Sequence, residues 1–371
     1  MLTWKRITSW LVLSILTAGL VVGCGLAANH NELGDASDAG TTTQPLTSDC
    51  RLIEHDLGET EVCGEPQKVV TLSLHMLDLL LSLDNQPVAS TMTLNLHRGD
   101  IFDNPAQQIP YLGDRITTQP VNLGSDHTPS LETLAALKPD LIIGEAGRNA
   151  DDYDLLSQIA PTLLWRDRTD KGKWQESLRD LATALGKSEQ ADAVIQQYTT
   201  RIADVKTDFA NVVTIHPKLL LLGANSLGEG FLVVNPDSYL GELLSEIGFQ
   251  LIPPPPAALN AASPLMSIEA LPTLNDADTI IVLGWNANVS DGLEDLDLSA
   301  DASVTQRIET HQVKAIQQNW QANNIAQSLT ASQENRVYFA TFYKWNGLNG
   351  PISAELILKQ LRQFFLTDNR S

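Results

Sequence analysis

Arginines and large aromatic side chains set just past apolar runs are where this chain could do chemistry. Trp165, Trp285, Tyr343 and Trp345 each end or follow a run that reads as a strand, and Tyr111 lies in a loop. Arg115 and Arg148 lie in loops of the first half, and Lys344 sits between Tyr343 and Trp345. Rings give contact area at modest entropy cost, and a guanidinium holds carboxylates or other oxygen anions through two parallel bonds. Such a set grips an oxygen-rich ligand rather than cutting it. The chain has no Gly-x-Ser-x-Gly elbow, His-Glu-x-x-His pair or Walker loop, and Gly223 to Gly230 lacks the Lys-Ser/Thr ending of a phosphate loop. An exported hydrolase would need a nucleophile and a base within reach of each other, and no such set stands out. His75 follows the first strand and His127 precedes Pro129, so both could reach a cleft. They are a weak hint of metal or haem, since the seven His residues never cluster.

Alternating short strands and helices must position these groups. Val69 to Leu74 reads as a buried strand running into a helix over Leu77 to Leu83. Leu141 to Gly144 and Thr162 to Trp165 read as further strands, with a helix over Asp154 to Ala160 between them and another over Trp174 to Leu185 after. The second half repeats the plan: strands at Leu219 to Leu222, Phe231 to Val234, Thr279 to Leu283 and Arg336 to Ala340. Helices at Ser238 to Ile247 and Ser353 to Leu366 and a proline loop at Pro253 to Pro256 complete it. This pattern predicts parallel α/β sheets, whose ligands sit at the carboxyl ends of the strands.

Two segments repeat. Ser130-Leu131-Glu132 opens a short helix that leads through Leu137-Lys138-Pro139-Asp140 into Leu141 to Gly144. Ser267-Ile268-Glu269 leads through Leu274, Asp276 and Asp278 into Ile280 to Gly284. Between the halves, Ala191, Val194, Ile195, Tyr198, Ile202, Val205 and Phe209 form one apolar stripe at helical spacing. With Ser188 as N-cap, this is a helix roughly 30 Å long, a strut between two lobes.

Composition bounds the rest. A chain of 371 residues can hold two lobes with real cores. Residues 1–23 read as a secretory signal, with Lys5 and Arg6 ahead of an apolar stretch, and Val21-Val22-Gly23-Cys24 fits a lipobox whose Cys24 is acylated. Residues 24–49 read as a flexible polar tether. The formal charge of −21 becomes −23 once Lys5 and Arg6 leave with the signal, which argues against nucleic acid as a partner. Cys50 and Cys63 then remain, and two close thiols in an exported chain are expected to pair, stapling a hairpin with Gly58 near its turn. The expected division is 50–186 for the first lobe, 187–210 for the bridging helix and 211–371 for the second lobe.

Taken in order, QKVVTLSLHMLDLLLSL, PSLETLAALKPDLIIGE, YDLLSQIAPTLLW, the strut, NPDSYLGELLSEIGFQ, MSIEALPTLNDADTIIVL and NRVYFATFYKWNGLNGPISAELILKQL resemble one family. They look like the solute-binding lipoproteins of bacterial ABC importers for ferric siderophores and vitamin B12, the class III periplasmic binding proteins. The resemblance covers roughly residue 50 to the C-terminus. It implies a non-catalytic monomer without a cofactor, lipid-anchored to a bacterial membrane in the periplasm, that captures a ferric siderophore of hydroxamate or citrate type between two lobes. Vitamin B12, haem or a metal ion is the alternative cargo. The ligand-binding candidates are the strand-end and loop residues read above, Trp285, Trp345, Tyr343, Arg115, Arg148, Trp165 and Tyr111, and the resemblance implies iron present only inside the ligand. Glu132 and Glu269 match the family's two glutamates that dock on the permease, which works with its ATPase. Two features depart from ferric-hydroxamate binders: Ser125-Asp126-His127 stands where they carry an Arg, and Ala261-Ala262-Ser263 where they place a Trp.

Cys24→Ser is expected to release the protein from membranes or leave it unprocessed. Fractionation with mass spectrometry of the N-terminus checks this; the same unmodified precursor in both forms would contradict it.

Overall fold

The computed structural model describes residues 49–94, 97, 99–166, 168–259, 265–285 and 302–366. The signal segment, Cys24, the tether up to residue 48 and Ala261-Ala262-Ser263 lie outside the described residues. An antiparallel hairpin comes first, β1 (Cys50–His55) and β2 (Gly58–Cys63), with Cys50 opposite Cys63 and the two bonded as a disulfide.

The first sheet holds six strands: β3 (Val69–Thr71), β4 (Ala89–Met92), β5 (Val121–Ser125), β6 (Thr128–Pro129), β7 (Leu141–Glu145) and β8 (Thr162–Trp165). Their spatial order is β6-β5-β4-β3-β7-β8, parallel except for β6. The chain starts in the middle at β3 and winds outward both ways, so a crevice opens past the carboxyl ends of β3 and β7. The second sheet places β9 (Lys218–Ala224) beside β12 (Thr279–Gly284), and β12 beside β13 (Val337–Thr341), all parallel. Its outer edge carries the short strands β10 (Leu232–Val233), antiparallel, and β11 (Gln250–Leu251), parallel.

The strut runs from Ser188 to Ile215, six residues beyond Phe209 and about 42 Å long. Pro217 stops it, because proline lacks the N–H and drives the residue before it out of the helical region. Ser188 is the first helical residue rather than the cap. Lys187 occupies the cap position without a side-chain bond to the helix, and its ammonium binds the Leu83 carbonyl at 2.8 Å. The apolar stripe is buried as its spacing requires, with Ile195 only partly covered, and one continuous core joins it to both sheets.

The lobes also touch through a second seam. Asp78, on the helix Leu74–Ser82, is fully buried and accepts the backbone N–H groups of Ile352 and Ser353 at 3.0 and 2.9 Å. Those two residues open the C-terminal helix Pro351–Phe365, where a carboxylate complements the helix dipole. The approach needs glycine at 350, since a Cβ there would lie 2.5 Å from the Asp78 carboxyl carbon. One turn earlier, buried His75 donates from Nδ1 to the Leu348 carbonyl.

These neighbours respond to pH with opposite signs. Burial pushes the Asp78 carboxyl up to about 7, against the pull of the Ser353 and Ile352 amides, the Ser82 hydroxyl and Arg115. Burial lowers His75 to about 4, with Glu145 opposing the shift, Arg168 adding to it and the Leu348 bond opposing it. The folded state therefore holds the Asp78 proton that the unfolded chain has lost, and stability drains as pH rises from about 4 to about 7. His75 does the reverse from about 4 up to its unperturbed value, so the two largely cancel across their common range. Asp78→Asn removes one arm of this balance. The variant's stability relative to the parent is expected to rise with pH between about 4 and 7. Urea melts at stepped pH check it, and parallel pH profiles would refute it.

Candidate functional site

Glu145 closes β7 opposite Trp165, which closes β8. Three residues past each strand end stand Arg148 and Arg168, and both turn back onto the Glu145 carboxylate. Arg148 Nε donates to Oε2 at 2.9 Å, and Arg168 Nη1 lies 2.9 Å from each oxygen. Arg148 Nη1 also meets Asp126 Oδ2 at 2.9 Å and donates to His127 Nε2 at 2.8 Å. Both carboxylates are buried, with Asp126 wholly out of solvent, while the guanidinium groups keep about a fifth of their surface exposed. Burial pushes Glu145 up, but Arg168, His75 and Arg148 together outweigh it and hold the carboxyl below its ordinary value.

The second lobe supplies the facing wall. Trp285 follows β12, and its indole lies across Gly223 of β9, where a Cβ would come within 2.9 Å of the ring. Phe342 packs on Trp285 edge to face, centroids 5.4 Å apart. Tyr343 follows in the short helix Phe342–Asn346, and burial with Asp126 nearby raises its phenol despite Arg148. Arg168 also spans the gap between the lobes, reaching the Asn349 side chain at 3.3 Å and the Asn346 carbonyl at 3.4 Å.

Two adjoining pockets share Arg148 and Arg168. One, about 230 Å³, is walled by Leu74 and Thr93 on one side and Trp285, Phe342, Tyr343 and Gly347 on the other. The second, about 380 Å³, is walled by His127, Glu145, Trp165, Arg166 and Thr169. Aromatic faces on one side and anchored guanidinium N–H groups on the other suit a compact ligand with a ring or chelate face and outward oxygen atoms.

Of the residues singled out in the sequence, Trp285, Tyr343, Arg148 and Trp165 come together here. Trp345 does not: it is fully buried in the core, its indole N–H bonded to Gln360 at 2.9 Å. Arg115 also lies elsewhere, ion-paired with Glu355 at 2.9 Å beside the bridging helix. Tyr111 lines a separate groove of about 410 Å³, its hydroxyl 3.0 Å from Thr341 and the Lys344 ammonium 5.7 Å from its ring centroid. Lys344 is paired with Glu309. Each histidine has one ring nitrogen engaged, His75 Nδ1 with the Leu348 carbonyl and His127 Nε2 with Arg148. Among the described residues, the one cluster of metal-type ligands is Cys50, Glu61 and Cys63, whose two thiols are joined to each other.

Sequence reasoning missed Arg168, Glu145 and Asp126. A signal was present: Glu145 and Trp165 are the last residues of adjacent strands, and an arginine stands three residues beyond each.

A parallel sheet with a crevice at its switch point, a second such sheet facing it and one helix between them define a two-lobed binding protein. The chain belongs to the periplasmic binding protein family, whose family model matches residues 69–343. This is a family of binding proteins rather than enzymes, and no cofactor is indicated for it. The Fe(3+)-citrate-binding protein YfmC of Bacillus subtilis is 27% identical over 94% of this chain and 93% of its own length. The Fe(3+) dicitrate-binding periplasmic protein FecB of Escherichia coli is 26% identical over 81% of this chain and 85% of its own. Among solved structures, Staphylococcus aureus SirA complexed with staphyloferrin B superposes with a TM-score of 0.62 at 24% identity, covering 85% of this chain and 98% of that one.

The two tryptophans should separate on substitution. Trp345→Ala is expected to cost about 3–5 kcal/mol of unfolding free energy, as for other buried aromatic truncations. Trp285→Ala, at a partly buried site, is expected to cost less than about half of that. Denaturant melts of both variants check the contrast; equal losses would place Trp285 in the core as well.

Proposed function

We propose that this protein is the substrate-binding component of an ABC importer. It takes a ferric siderophore of hydroxamate or citrate type into the cleft between its lobes and passes it to the permease. The observation that carries the reading is the wall pair: Trp285, Phe342 and Tyr343 from one lobe facing Arg148 and Arg168 from the other, with Trp165 beyond. The names borne by YfmC and FecB support iron complexes as the class of cargo. Vitamin B12, haem or a metal ion is the alternative cargo; haem would show a Soret band on binding. In this reading the protein acts as a periplasmic monomer, with Cys24 as its lipid anchor. The lobes are residues 50–186 and 211–371, and the helix between them is the strut.

Titrating the apo protein with ferric siderophores, and following tryptophan fluorescence, tests the reading. Saturable quenching by at least one ferric complex is expected, with the iron-free ligand weaker. Arg148→Ala is expected to cost about 2–5 kcal/mol of affinity, the range for losing one side of a buried charged contact. Absence of any binding by fluorescence and by equilibrium dialysis would sink it.

Docking falls to Glu132 and Glu269. Ser130 caps the helix Leu131–Leu137 by accepting the Thr133 N–H at 3.3 Å, and Glu132 stands exposed in its first turn. Glu269 is equally exposed near the start of a tighter 3₁₀ turn, Ile268–Leu274, and accepts from Ser267. Neither has an ion-pair partner among the described residues. The double variant Glu132→Ala/Glu269→Ala is expected to bind ligand in solution and melt as the parent does, yet lose uptake in cells. Normal uptake at native expression would end the docking role.

A further inference from the structure

The cations in the cleft are already largely spent. Arg148, Arg166 and Arg168 line it, and Asp126 and Glu145 stand directly behind Arg148 and Arg168 in ion pairs of 2.9 Å. Three guanidinium groups against two carboxylates leave a single formal positive charge among the described residues of the site. His127 is engaged by Arg148, whose Nη1 donates to its Nε2. The remaining walls, Trp285, Phe342, Tyr343, Leu74 and Thr93, carry no charge. Lys344, beside Tyr343 in sequence, opens on the separate groove and is neutralised by Glu309.

Asp126 is more than Arg148 needs. Glu145 already orients Arg148 through Nε, so the guanidinium would be held without a second carboxylate. Thr93 donates its hydroxyl to Asp126 Oδ2 at 2.8 Å, a bond an amide oxygen would accept equally well. The other oxygen, Oδ1, is buried without a partner among the described residues. A buried, incompletely satisfied carboxylate one guanidinium away from the ligand repels anions where little water screens it.

We propose that Asp126 and Glu145 set the ligand's charge: the cleft takes ferric complexes that are neutral or singly negative and discriminates against trianionic ones. The inference rests on the siderophore reading above and narrows it toward the hydroxamate type, since ferric dicitrate carries several negative charges. Specificity of this kind comes from a repulsive element as much as from an attractive one.

The test compares two probes, the neutral ferric tris-hydroxamate ferrichrome and the trianionic ferric tris-catecholate of enterobactin, on the full soluble chain and on Asp126→Asn. The variant can keep Oδ1 toward Thr93 and Arg148, and place its new amide at the unpartnered corner. The parent is expected to prefer the neutral complex by about 100-fold or more. Asp126→Asn is expected to narrow that ratio about tenfold by strengthening the trianion specifically. A merely structural role for Asp126 would instead weaken both complexes together, and that outcome refutes the assignment. If the variant does not fold, the parent's order of affinities still decides: equal or tighter binding of the trianion overturns the proposal and leaves the siderophore reading standing. Failure to bind any ferric siderophore overturns both.

Discussion

Glu145 ends β7 with its carboxylate almost out of water, and it stays ionised because Arg148 and Arg168 close on it at 2.9 Å. Two guanidinium groups on one buried carboxylate fix each other's positions, and removing Glu145 would leave Arg168 without a carboxylate partner among the described residues, at a cost of about 3–5 kcal/mol. The strand register dictates the meeting, since Glu145 and Trp165 are neighbours and the two arginines leave the sheet at the same level. The arginines are therefore set before any ligand arrives, with their exposed edges turned to the cleft. A preset donor array loses little side-chain freedom on binding, which is where much of the cost of association otherwise lies.

The same cluster reaches across the lobes. Arg168 touches the Asn346 carbonyl and the Asn349 side chain, while His75 and Asp78 hold Leu348, Ile352 and Ser353. The segment from Asn346 to Ser353 thus belongs to the second lobe by chain order and to the first by hydrogen bonding. Together with the core that runs along the strut, this seam resists a wide opening of the cleft. Under the proposed docking role, such a stiff back would present Glu132 and Glu269 at a fixed separation, as two-point docking requires.

Much of the fold was legible because it is written in apolar runs and spacing. β8 matches its sequence reading residue for residue, and β7, β12 and the C-terminal helix shift by one or two. The helix Val304–Ala322 was not legible: its buried face is Ile308, Gln312, Ile316 and Trp320, so a glutamine interrupts the stripe. β4 and β5 were missed for a related reason, since Ser90 and Thr91 are polar residues buried inside β4, and Val121-Asn122-Leu123 is broken by a half-buried asparagine. The site was half legible. Aromatic residues at strand ends pointed to the sheet edges that line the candidate cleft, but Trp345 has the same sequence context as Tyr343 and faces the core from a short helix. Arg115 shows the same limit, because only tertiary contact reveals that Glu355 already occupies it. Charge pairing at a distance, as between Asp126 and Arg148, leaves no local pattern to read.

The most direct test of the account is a crystal structure of the protein with a bound ferric siderophore. The iron complex is expected between the Trp285–Tyr343 wall and the guanidinium groups of Arg148 and Arg168, with Glu145 still bonded to both arginines and the seam from Asn346 to Ser353 unbroken. Density for the complex in the groove beside Tyr111 and Lys344, or a cleft that opens by parting Asp78 from Ile352 and Ser353, would contradict it.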